Sequence, residues 1–166
     1  MDLTPAQKAT LKAAILAETD SAFVAARNAE NDSAMAAFYN AQATPTFTVW
    51  KSSVPTSKIG TTIGYVALAA LTSGNLTQLD LFLKLNPSSF PPSSSIRSFF
   101  TTTFAGTLGG EGQSTRDALD ALWKRTANRV EKLFANTAGG NGTSAPAMLV
   151  VEGNVTGQDI SDARNS

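Results

Sequence analysis

The 166-residue chain contains no cysteine and no histidine. Without cysteine there is no disulfide framework and no thiolate metal site, so the fold has to hold by packing alone. Without histidine, Ser-His-Asp and Cys-His chemistry, imidazole metal ligation and a histidine general base are unavailable. Net charge is missing too: thirteen basic residues balance thirteen acidic ones, so the chain lacks the long-range positive field that draws proteins onto nucleic acid. No specific nucleic-acid partner is expected. Long hydrophobic runs are absent. The longest, "IGYVALAAL" from Ile63 to Leu71, is far short of the ~20 residues that span a bilayer and reads as a buried helix. The opening "MDLTPAQKAT" has neither the basic nor the apolar region of a secretory signal, so the chain is expected in the cytoplasm where it is made.

What is present favours helix. A hydrophobic content of 42% suits a modest core in one domain. Thr4, Pro5 and Gln7 form a capping-box signature and start a helix from about Pro5 to Ala17, with Leu11, Ala14 and Ile15 on one face. Asp20 can start a second helix, "SAFVAARNAE", and Asp32 or Ser33 a third, "AMAAFYNAQ". "TPTFTVWKSSVP" breaks the pattern: β-branched and aromatic residues between Pro45 and Pro55 favour an extended segment near 46–52. Thr61 to Leu71 and Asn75 to Leu85 read as two further helices, the second capped by Asn75 with Gln78. "NPSSFPPSSS", with three prolines and five serines, reads as a surface loop. A helix resumes near Ser95, and its stripe of Ile96, Phe99, Phe100 and Phe104 has the spacing of a core face. "GTLGGEGQ" is expected to end it.

The periodicity then predicts the longest helix, from Ser114 or Thr115 to about Ala135. Leu119, Leu122, Trp123, Thr126, Val130, Leu133 and Phe134 recur every three or four positions. On that wheel Arg125, Arg129 and Lys132 fall on one flank, and Asp117, Asp120 and Glu131 on the other. A surface helix of mixed charge accounts for the pattern. So does a heterologous subunit interface, in which the basic edge of one copy meets the acidic edge of the next and closes a ring.

Chemical motifs are weak. "GGEG" at Gly109 to Gly112 and "GGNG" at Gly139 to Gly142 lack the spacing of a phosphate-binding or dinucleotide loop and read as flexible connections. Glu18 with Asp20, or Asp117 with Asp120, could pair as glycosidase carboxylates, but acids at helix starts usually act as caps. No catalytic residue, metal ligand or cofactor is expected. A small hydrolase such as a lysis enzyme is the alternative outside the structural class.

The segments "LTPAQKATLKAAILAETD", "ATPTFTVWKSSV" and above all "RVEKLFANTAGGNGTSAPAMLVVEGNVTGQDI", Arg129 to Ile160, resemble a family of small structural proteins of tailed bacteriophages. Little between Gly60 and Gly110 carries the likeness. The resemblance implies a non-enzymatic virion protein at the head–tail junction, an adaptor ring between portal and tail, with itself as ring partner (a dodecamer is one such ring) and with portal and tail or neck proteins as neighbours. A tail-completion or neck protein and a capsid decoration protein are the alternatives within that class.

Together these readings predict a mainly α protein with a small β element. Residues 1–135 form a helical core domain, and 136–166 a glycine-rich loop, a strand near 147–152 and a docking arm. Met148, Leu149, Val150 and Val151 are the expected partner-docking residues. A terminal strand of this kind can equally pair with "FTVWKSS" in its own subunit.

Overall fold

In a computed structural model the described residues are 1–104 and 109–166. They form ten helices and four short strands, so the protein is mainly α with a small β element. The chain divides into two units that do not follow the expected boundary at residue 135. One is built from both ends, Met1–Val49 with Thr126–Ser166, and the other from the middle, Trp50–Arg125.

In the first unit, α1 (Pro5–Ala17) starts as its sequence dictates: Thr4 accepts from the Gln7 backbone N–H, and the Gln7 side chain accepts from Thr4 N–H in return. Asp20 caps α2 (Ser21–Asn28) through Phe23 N–H. α3 (Asp32–Asn40) is capped one residue earlier than expected, by Asn31, which accepts from Ala34 N–H. The core joins Leu11, Ile15, Phe23, Met35 and Tyr39 to Val130, Val155 and Ile160.

The terminal residues are not an arm. Gly157–Arg164 is a helix, α10, whose Ile160 and Ala163 are fully buried. It packs on α1 and α3, with Lys8 bonded to Asp162 at 2.9 Å and Arg164 to Asp32 at 2.7 Å.

The second unit has an aromatic core. α4 (Thr56–Thr62) and α5 (Tyr65–Ala69) replace the single helix expected from Thr61 to Leu71, the chain breaking at Ile63 and Gly64. α6 (Ser73–Leu85) is capped by Thr72; Asn75 is not its cap but the donor to Thr72 Oγ1. Within the serine- and proline-rich stretch, Ser89 and Phe90 pair antiparallel with Val54 and Pro55, and Phe90 is buried. That stretch is therefore partly core. α7 (Ser94–Thr103) buries Phe100 and is followed by the buried Phe104. Phe82, Phe90, Phe100 and Trp123 meet edge to face or tilted, with ring centroids 4.9 to 5.6 Å apart, an arrangement that adds to plain area burial.

The predicted long helix does not exist. α8 runs from Gly109 to Leu122, so "GGEG" lies inside a helix and not in a loop; residues 106–108 of the predicted stop lie outside the described residues. Lys124–Thr126 is then a strand that pairs with Thr48–Trp50, and a new helix, α9, covers Arg129–Phe134. The apolar stripe is real, but it serves two cores: Leu119 and Trp123 pack in the aromatic cluster, and Val130 and Phe134 in the cluster with Leu11 and Ile160.

Candidate functional site

α9 organises the first unit's surface. Asn128 caps it by accepting from Glu131 N–H at 2.8 Å, and Glu131 accepts from Asn128 N–H at 3.1 Å. The other Glu131 oxygen accepts from Gly153 N–H at 2.8 Å, and the residue is 2% exposed. Asn128 also donates to Gly153 O and Asn154 Oδ1. Asn40 donates to Val155 O and accepts from Val155 N–H. Residues 153–155 are thus held by side chains from α3 and from the start of α9. Glu131, expected on an exposed acidic edge, is instead a buried structural acceptor.

The "GGNG" loop, expected to be a flexible connection, is similarly tied by hydrogen bonds. Asn141 Oδ1 accepts from the N–H groups of Thr143 and Ser144, Gly142 O accepts from Thr48 N–H at 2.7 Å, and Gly142 N–H donates to Ala145 O at 2.7 Å. Gly142 has φ of +75°, and a Cβ there would lie 2.2 Å from the Phe47 ring. Only glycine satisfies both conditions. Beyond the loop no regular strand forms at 147–152. Ala147 bridges Val49 in parallel, and Met148 bridges Asn136, so the pairing with "FTVWKSS" is intramolecular. Exposure alternates along this segment: Ala147 is buried and Leu149 and Val151 are half-buried, while Met148 and Val150 are 46% and 61% exposed.

The other predicted site residues separate. Asp117 and Asp120 belong to the middle unit, and Arg129, Glu131 and Lys132 to the unit of the two ends. Asp117 accepts from Gln113 at 2.7 Å, and Asp120 pairs with Lys124. Arg125 is half-buried on its strand. No single acidic edge or basic edge is formed, because the helix that would carry them is broken between Leu122 and Arg129.

Arg129 and Lys132 do come together, in an open groove of about 690 Å³ lined also by Ala14, Ala17, Glu18, Asp20, Phe38, Tyr39, Thr44 and Leu133. The Arg129 guanidinium lies 3.7 Å from the Phe38 ring centroid, and the Lys132 ammonium 5.8 Å from that of Phe47. Among the described residues no carboxylate approaches either cation within 4.0 Å. Glu18 and Asp20 are already used at the turn between α1 and α2: Glu18 accepts from the N–H groups of Thr19 and Asp20, and Asp20 from Phe23 N–H. Burial, then the charge of Glu18, push the Tyr39 hydroxyl well above the usual tyrosine range, against the opposing pull of Arg129 and Arg27. Tyr39 therefore stays a neutral hydroxyl. Sequence reasoning missed this groove because its walls, α1, α3 and α9, are distant along the chain.

Among the described residues no group of three or more Asp or Glu could hold a metal ion, and no helix is long and apolar enough to cross a membrane. Comparison of the chain with protein-family models, with curated proteins and with solved structures finds no match.

Proposed function

We propose that the protein is a structural component of a tailed-phage virion, assembling as a ring of identical copies at the head–tail junction and contacting portal and tail or neck proteins. The observation that carries this reading is the 147–151 segment. Its inward residues and its two bridges fix the backbone, and it then turns Met148 and Val150 outward. Apolar side chains held in a fixed, solvent-facing row mark a contact surface more than a core. The segment lies within the stretch Arg129 to Ile160 that resembles the phage family, which supports the same reading.

The test is assembly of virions with the wild-type chain or with a Met148→Asp, Val150→Asp variant. Focused cryo-electron microscopy should place wild-type copies as a ring between portal and tail, and the variant should give heads without tails. Density on the capsid surface would make the protein a decoration protein instead. Absence from purified particles would overturn the virion reading.

A further inference from the structure

We propose that the groove between α1, α3 and α9 is a receptor for an acidic peptide segment of a partner protein, anchored by Arg129 and Lys132. The inference does not depend on the virion reading.

Three observations point to peptide carboxylates. First, two half-buried cations three residues apart on one helix face the same groove, with no carboxylate within 4.0 Å of either among the described residues. Positions i and i+3 hold their Cβ atoms ~5–6 Å apart, a separation matched by neighbouring same-side carboxylates of an extended chain, which repeat every ~6.6 Å. Second, the Phe38 ring covers one face of the Arg129 guanidinium. Stacking leaves the N–H edge of the fork available, and that edge takes a carboxylate through two parallel bonds. Third, the space far exceeds what one small anion fills, and the remaining wall includes the aliphatic Leu133, Ala14 and Ala17. A ligand using the whole groove therefore carries acidic groups and apolar side chains together.

The acids fix its direction. Glu18 and Asp20 repel carboxylates from the α1–α2 end, so the occupant's acidic groups lie toward α9. The neutral Tyr39 hydroxyl is a hydrogen-bond donor to it.

Fluorescence anisotropy of the full chain with a labelled peptide of alternating glutamate and leucine tests this. The glutamate peptide should bind at least about tenfold more tightly than its glutamine counterpart, and the lysine counterpart should not bind. Arg129→Gln with Lys132→Gln should weaken the glutamate peptide about tenfold or more, whereas Arg129→Lys should retain part of the affinity. Raising the salt should weaken binding. If the double variant fails to fold by circular dichroism, Lys132→Gln alone, which leaves the Arg129–Phe38 stack in place, provides the same comparison. Equal binding of the glutamate and glutamine peptides, or undiminished binding by the folded variants, would overturn the assignment. So would displacement of the peptide by inorganic phosphate at equal concentration, which would mark a simple anion site. Self-association lost on Lys132→Gln would make the occupant a second copy of this chain and also overturn it.

Discussion

The unit made from the two chain ends and the unit made from the middle solve the same problem differently. The middle unit, contiguous in sequence, buries large rings against one another, with Phe90, Phe100, Phe104 and Trp123 all at 2% exposure or less. The other packs alanine-rich helices, which bury little area per residue, and adds specific polar ties: Asn40 to Val155, Asn128 to Gly153 and Glu131 to Gly153, spanning 115, 25 and 22 residues of sequence. Small side chains let helices approach closely but supply less hydrophobic stabilisation, so directed hydrogen bonds are placed where distant segments must join. The surfaces proposed for binding both lie in this polar-tied unit.

Breaking the aromatic core should have the largest effect. Phe100→Ala removes a ring that contacts Phe82 and Trp123 and should cost about 3–5 kcal/mol. Trp50 and Trp123, the only tryptophans, both belong to the middle unit, so tryptophan fluorescence during denaturant unfolding reads that unit alone. Amide exchange at Leu11, Ile15 and Ile160 should keep its protection. Parallel loss of both signals would show that the two units unfold as one.

Cutting a polar tie comes next. Glu131→Ala strands the N–H groups of Asn128 and Gly153 and should cost about 2–3 kcal/mol, since hydrogen bonds to a charged acceptor are among the stronger ones. Hydrogen exchange should rise first at residues 152–156; a uniform rise over the unit would mean that the tie is global.

Gly142→Ala should destabilise by about 1–3 kcal/mol, from the left-handed backbone and the collision with Phe47, read as a lower unfolding midpoint for the first unit. An unchanged midpoint would show that the loop and Phe47 yield at no cost.

Acid should act on α10 and least strongly. Burial tends to raise the Asp159 carboxyl, but the backbone N–H and hydroxyl of Thr156 together with the Met1 ammonium outweigh it and hold the group below its ordinary value. Asp162 is lowered first by its hydrogen bond to Lys8. A depressed folded-state pKa gives stability that is present above the unfolded pKa, about 4 for aspartate, and lost as pH falls through the folded value. Helical circular dichroism should therefore weaken below about pH 4, and an Asp159→Asn, Asp162→Asn variant should show a smaller loss over the same range.

Much of the helical framework was legible because caps are local. Thr4 with Gln7 and Asp20 with Phe23 act within three residues, and both helices start where their sequences place them. Asn128 and Glu131 have the same spacing and mark the true start of α9. An apolar period from Leu119 to Phe134, broken only at the exposed Thr126, masks that signal in the sequence. Periodicity reports that a side chain will be buried, not in which core.

By itself, then, the sequence determined the helical character, several of the helix starts and the burial of the aromatic stripe, because these rest on backbone geometry and hydrophobicity within one or two turns. Only the tertiary structure decided that Lys124–Thr126 pairs as a strand, that Glu131 is buried and that the chain end is core. It also brought Arg129 and Lys132 opposite Glu18 and Tyr39. Each of these depends on partners many residues away, whose hydrogen bonds and packing outweigh local preference.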